Sequence, residues 1–322
     1  MPNRALLAAL GGALLLSTAA QAQVQLRIAG NFPEDHTATG AMEIFKEEVE
    51  TITDGGIQVD LFPAMQLGGA QENVDQVRSG AIFGVFTSIA YFSRSVPEYE
   101  AVSLPFLFDS REQAFALMDG EVGDYLDAKM AEEGFVNLGY MELGFRHVTN
   151  DVRPIETMAD FDGLKIRLQP NEVHLDSMRA VGANPTPMDI SEVYSALQQG
   201  VLDGQENPYN IIATRGFDEV QTYLSDSGHF FDFINAVANQ ERFEELSAEH
   251  QEAVREAMRT AVLWQREEAA AQEEKFREVL IERGMTFTPI SDEVRAELRE
   301  ATSGVVDGLR ARIGDEPIDL VL

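Results

Sequence analysis

The chain has 322 residues and no cysteine, and 55 acidic against 24 basic residues leave a formal net charge of −31. So acidic a body repels nucleic acid and anionic lipid surfaces, which excludes both as partners. Without cysteine there is no disulfide, thiol nucleophile or thiolate-bound metal, and the length suits two domains of ordinary size.

Residues 1–22 carry one arginine, an apolar run from Ala5 to Leu16, and small residues up to Ala22. This is the layout of a secretory signal peptide cleaved after Ala22, and the run is too short for a spanning helix of about 20 residues. A mature protein in the periplasm is expected. Leu26 to Ala29 then alternates as a strand, and the polar loop Asn31 to Thr39 leads into a helix. Met42, Phe45, Val49 and Ile52 give that helix one apolar face, and Gly55-Gly56 ends it. Ile57 to Phe62 reads as the next strand, so the chain opens on the βαβ pattern of a mostly parallel sheet.

Gln66 to Gly80 reads as a loop and helix, and Ala81 to Thr87 as a buried strand. A loop punctuated by Pro97 and Pro105 precedes paired amphipathic helices that run to about Ala131, followed by a strand over Phe135 to Asn150. His147 in that strand should point away from the face of its neighbour Arg146 and lie at the surface. Phe106, Phe108, Phe115 and Phe161 are read as core. Asp160 and Asp162 hint at a calcium loop, but Leu164 and Asn171 stand where further ligands are needed, so no metal site is expected.

Gly163 to Pro208 is the stretch richest in information. Leu164 to Leu168 reads as a strand, Asn171 caps a helix that stops at Gly182, an Asn-Pro-Thr-Pro loop follows, and Ser191 to Gln199 forms a second helix. Gln205, Glu206 and Asn207 fall in a loop before Pro208. Arg167 therefore sits near the end of a strand, where open α/β sheets bind ligands. Its planar fork suits a carboxylate, to which it can donate two charge-assisted hydrogen bonds.

Beyond Pro208, Tyr209 to Val220 reads as helical and Ser227 to Val237 as an aromatic-rich strand. Ser247 to Arg283 forms one long helix that braces two domains, and a strand, a helix and a loose acidic end complete the chain. Residues 23–144 with 232–272 are grouped as one domain, and 145–231 with 273–322 as the other. The motifs of serine hydrolases, zinc proteases, P-loops and dinucleotide-binding folds are absent from the sequence. The five histidines show no metal-ligand spacing.

Three segments, Gly163 to Arg167, Ser191 to Gln198 and Asp203 to Pro208, resemble in order and spacing the signature region of solute-binding proteins of tripartite ATP-independent periplasmic (TRAP) transporters, the DctP family. The resemblance implies a two-domain periplasmic-binding-protein-like α/β fold with mixed sheets, hinge strands and a long bracing helix. It implies a binding protein without catalysis or cofactor, working as a monomer with a small and a large membrane subunit. Arg167 would take the ligand carboxylate, Arg146 would add charge, and Asn207 would fix orientation. His36, Gln71, Glu72, Tyr209, Phe230 and Phe231 complete the candidate ligand-binding set. The polar His36, Gln71, Glu72 and Asn207 favour a hydroxylated acid such as a uronate or aldonate over a four-carbon dicarboxylate or keto acid. A periplasmic enzyme acting on acidic sugars and a sensory binding protein are the readings of other classes.

Overall fold

The computed structural model describes residues 23–322, and the expected signal peptide lies outside them. A first lobe is built from β1 (Val24–Gly30), α1 (Thr37–Ile52), β2 (Ile57–Phe62), α2 (Ala70–Arg78) and β3 (Gly84–Ser88). β1 pairs in parallel with β2 and β3, the arrangement that helical crossovers impose on strands of one sheet. Two 3₁₀ turns, Ile89–Phe92 and Pro97–Ser103, then α3 (Arg111–Met118) and α4 (Glu121–Glu132), lead into the 16-residue strand β4 (Phe135–Asn150).

A second lobe repeats the plan with β5 (Lys165–Leu168), α5 (Glu172–Ala180), β6 (Asn184–Pro187), α6 (Ile190–Gln198), β7 (Gly204–Asn207) and α7 (Tyr209–Thr214). β5 lies parallel to both β6 and β7. The 17-residue β8 (Tyr223–Asn239) then returns antiparallel to β4. It is followed by α8 (Gln240–Glu244), α9 (Ala248–Glu282), β9 (Thr286–Pro289), α10 (Asp292–Ala301), α11 (Val305–Ile313) and α12 (Glu316–Val321).

All nine strands join one sheet in the order β2-β1-β3-β8-β4-β7-β5-β6, with β9 beside β8. The two lobes therefore share a continuous sheet through the β4–β8 ribbon, where the sequence suggested a separate sheet in each. Register fixes where they meet. β3 starts opposite Ala238 and ends with Ser88 opposite Ile234, which faces Met141. β7 starts opposite Asn150 and ends with Asn207 opposite His147. The two parallel sets thus run toward each other along the ribbon and stop on either side of residues 142–146, where β4 shifts register. Carboxyl ends of parallel strands are where this kind of sheet leaves room for a ligand, and here two sets of ends share one gap.

On one face of the first-lobe sheet, Leu26, Ile28, Phe45 and Val49 pack with Ala257, Met258 and Ala261 of α9, and on the other Val85, Phe92, Tyr99 and Leu126 form a second cluster. Leu164, Ile166, Leu168, Leu175, Met178 and Leu298 fill the second lobe. Each large apolar side chain buried this way contributes about 1.5–3 kcal/mol. The 35 residues of α9 span about 52 Å at 1.5 Å per residue. Ser247 caps its start, accepting from the His250 amide at 3.1 Å, and it runs beside α1 and β4 as well as α7, so it touches both lobes.

Several elements differ from the sequence reading. Asn-Pro-Thr-Pro is the strand β6, on the edge of the sheet, where proline costs no ladder bond. Asp203 to Pro208 holds the strand β7, all four of whose residues are buried. The helix from Tyr209 ends at Thr214, and a 3₁₀ turn at Phe217–Glu219 follows. After the expected strand, β9, the tail is three helices in place of one helix and a loose end, and Val305, Leu309, Ile318 and Val321 pack into the first-lobe core although residues 273–322 were grouped with the second domain. No described helix is long and apolar enough to cross a membrane.

Candidate ligand site

Over the gap between the lobes the strand ends line a small cavity. The first lobe contributes Asn31 and Phe32 after β1, Thr87 and Ser88 at the end of β3, and Tyr91; β4 adds Leu143. Gln169 after β5, Asn207 at the end of β7, Ile190, Ile211 and Arg215 come from the second lobe.

Arg167 is fully buried behind Tyr91, which lines this cavity. Its Nε donates to the Met188 carbonyl at 2.8 Å and Nη2 to the Tyr91 hydroxyl at 3.1 Å, and Nη1 has no partner. Arg215 donates from Nη2 to the Asn31 carbonyl, and its Nε is buried without a partner. Burial, with the charge of Arg167 adding to it, brings the Arg215 pKa down to about 10, so it remains cationic at neutral pH. Thr87 Oγ1, Gln169 Oε1 and Asn31 Oδ1 are also buried and unpartnered. A buried polar atom left unpaired costs about 1–3 kcal/mol. Several of them around one cavity, donors and acceptors together, match a ligand that carries anionic oxygen and further polar groups.

Arg146 is fully buried as well, but it meets protein acceptors. Its Nη2 lies 2.8 Å from Glu206 Oε1 and 3.1 Å from Asn207 Oδ1, Nε also bonds Glu206, and Nη1 lies 3.0 Å from Asp232 Oδ2. Burial alone would raise the Glu206 pKa, but the Arg146 charge holds it well below the usual carboxylate range. The charge expected of Arg146 is thus already balanced inside the protein, and the guanidinium positions Asn207 instead.

The other candidates scatter. His36 is buried, caps α1 by accepting from the Ala38 amide at 3.0 Å, and stacks on the cavity residue Phe32 at 4.7 Å. Burial first, then the Arg215 charge, brings its pKa down to about 3, so it is neutral. Gln71 and Glu72 lie on α2 outside the cavity: the Gln71 amide donates to Asp189 at 3.4 Å, and Glu72 accepts from Gln76. Phe230 stacks on His174 at 4.1 Å within the second-lobe core, and Phe231 packs against Phe108, Phe115, Phe145 and Phe233. β8 is an inner strand covered on both faces, so its aromatics fill core instead of walling the cleft.

Tyr209 lines a different and larger space of about 1180 Å³ between α9, α10 and the ribbon, where its hydroxyl donates to Asp226 at 2.8 Å. His147 lines the same space, is 3 % exposed and stacks on Tyr209 at 4.1 Å, so the position expected at the surface is covered by Tyr209 and Asp226. Three of the four arginines there already meet carboxylates, Arg111 with Glu273, Arg277 with Glu274 and Arg299 with Asp109, and Arg295 donates to the Ser227 and Asp226 carbonyls. The smaller cavity is therefore the better candidate for an anionic ligand.

Tyr91, Thr87, Asn31, Gln169 and Arg215 were not singled out from the sequence. The strand-end rule that found Arg167 also reaches Gln169, two residues on, and Asn31, directly after β1. Arg215 follows a six-residue helix and carries no motif.

Two α/β lobes on a shared ribbon, with their strand ends turned toward one polar cavity, define a bilobal ligand-binding protein. The profile described as "Bacterial extracellular solute-binding protein, family 7" (DctP) matches residues 28–312. The chain belongs to this family, as its motifs led one to expect. It is 33% identical over 276 residues to the Escherichia coli 2,3-diketo-L-gulonate-binding periplasmic protein YiaO, covering 86% of this chain and 84% of that one. The sugar acid binding protein DctPAm from Advenella mimigardefordensis, in complex with galactonate, superposes with a TM-score of 0.91 at 31% identity, over 93% of this chain and 96% of that one. A TRAP periplasmic solute binding protein from Sulfitobacter sp. NAS-14.1 with bound β-D-galacturonate gives 0.87 at 32% identity, over 92% and 98%.

Proposed function

We propose that this protein is the extracytoplasmic binding component of a TRAP transporter. It captures a small hydroxylated organic acid of the sugar-acid class and passes it, unchanged, to the two membrane subunits. Residues 1–22 direct it to the periplasm, where it acts as a monomer and without a cofactor. The observation that carries this reading is Arg167: a fully buried guanidinium whose protein partners are neutral oxygens and whose Nη1 is unpartnered. A ligand carboxylate is the natural partner for that group. Thr87, Gln169 and Asn31 offer neutral polar atoms suited to hydroxyls, and Asn207, held by Arg146, fixes the ligand's orientation. Relatives that bind diketogulonate, galactonate and galacturonate support the sugar-acid class.

Charge-assisted hydrogen bonds contribute about 1.5–3 kcal/mol each, so two or three of them with the neutral contacts support micromolar binding. The test is a thermal-shift screen of uronates, aldonates and short organic acids, followed by calorimetric titration of the hits. A ligand raises the melting temperature by mass action. Arg167→Ala should abolish the shift and leave the unliganded fold intact, and the recovered acid should be chemically unchanged. Normal binding by that variant would refute the site.

A further inference from the structure

The charges buried around the cavity narrow the ligand, given the reading above that an organic acid binds there. Arg146 lies between Glu206 and Asp232, so that group of three carries one surplus negative charge. Asp232 faces only donors: Oδ2 accepts from Arg146 at 3.0 Å and the Ser88 hydroxyl at 2.8 Å, and Oδ1 from the Phe233 amide at 2.8 Å. Burial raises the Asp232 pKa above the ordinary carboxylate value, while the Arg146 charge and the Ser88 hydroxyl pull it back toward the ionised form that a shell of donors favours. Arg167 and Arg215 bond only neutral oxygens and add two positive charges. Three guanidiniums against two carboxylates leave one positive charge.

The other titratable groups nearby do not reverse this sign. His36 and His174 are neutral, burial holding both down at about 3, burial lowers His229 as well, and it keeps Tyr91 un-ionised. Asp189, at the start of α6, is partly exposed and caps Ser191, so water screens its charge and it does not count among the enclosed ones. A net charge enclosed away from water is costly, so closure around the ligand is best compensated when the ligand brings one negative charge and no more.

We infer that the cavity selects acids with a single carboxylate over diacids of the same carbon skeleton, and that Arg215 is the residue that sets this count. Without Arg215, the two remaining guanidiniums balance Glu206 and Asp232, and even one carboxylate enters uncompensated.

The test is calorimetry on the wild-type mature chain with two matched pairs, D-galactonate with galactarate and D-erythronate with tartrate. At pH 7 the better-bound monoacid should bind at least tenfold more tightly than its diacid. Diacid affinity should rise about tenfold per pH unit as the pH falls from 7 to 5, with uptake of one proton seen in buffers of different ionisation heat. Monoacid affinity should stay flat over the same range. In Arg215→Gln the monoacid should bind at least tenfold more weakly and its binding should become coupled to proton uptake, which a merely structural role for Arg215 would not produce. Diacid binding as tight as monoacid binding at pH 7, without proton uptake, overturns the inference. If that diacid binding is lost in Arg167→Ala, the reading of the site survives and only the charge count falls. If the wild type binds neither pair, both fall together.

Discussion

The Tyr91 hydroxyl of the first lobe accepts hydrogen bonds from two groups of the second, Arg167 Nη2 at 3.1 Å and the Ile190 amide at 3.3 Å. One oxygen therefore ties the lobes together at the edge of the cavity. With both lone pairs engaged, its own proton is left to donate toward a ligand. Tyr91→Phe removes the acceptor and leaves the Arg167 and Ile190 donors unpaired. Ligand affinity measured by calorimetry should fall by about tenfold, in line with about 1–3 kcal/mol for unpaired buried groups.

Arg146 holds two carboxylates in a place without water. Arg146→Met would strand both, and removing one partner of a buried ion pair costs about 3–5 kcal/mol. Urea unfolding should show a loss of that size. Adding Glu206→Gln to Arg146→Met should recover part of it, because one of the stranded charges is gone.

Acid should destabilise the protein well above the carboxylate range. His36 and His174 sit near 3 in the folded state, both driven down first by burial, against an ordinary value of 6.5. Between those values the unfolded chain binds protons that the folded chain refuses. Stability is therefore complete above about 6.5 and declines as the pH falls, by up to about 1.4 kcal/mol per pH unit for each histidine. Below about 4.5 the depressed Glu206 adds to the loss, since its pKa too is lower folded than unfolded. Urea midpoints at pH 7, 6 and 5 check the first range, and His174→Phe, which keeps the stack on Phe230, should reduce the slope, with His36 and the likewise lowered His229 left to supply the rest.

Gly204 begins the strand that carries Glu206 and Asn207. A Cβ there would lie 2.2 Å from the Thr149 carbonyl oxygen across the β4–β7 pairing. Gly204→Ala should push the two strands apart, at the about 1–3 kcal/mol typical of overpacking. Because Asn207 moves with its strand, affinity should fall along with the urea midpoint.

Much of this was legible in the sequence. β1, β2, β4, α1 and α9 follow from apolar spacing and end signals, and three short motifs located Arg167 and the family. The strand Gly204–Asn207 was not legible because all its side chains are polar or absent, and hydrophobic periodicity cannot register a strand buried through hydrogen bonds. His147 was misplaced because alternation gives a strand residue its face but not what covers that face, here Tyr209 and Asp226. Phe230 and Phe231 looked like a cleft wall until the strand order showed β8 inside the sheet. The partners of Arg146 lie 60 and 86 residues away, and only the fold brings them together.

The β4–β8 ribbon runs unbroken through both lobes. Its rungs tie the halves together like the binding of a book, which keeps the two covers from sliding past one another. The same spine sets the guanidinium of Arg167 against the phenol of Tyr91 from the facing cover. The shape offered to a visiting molecule is thus written into the spine as much as into the residues that would touch it.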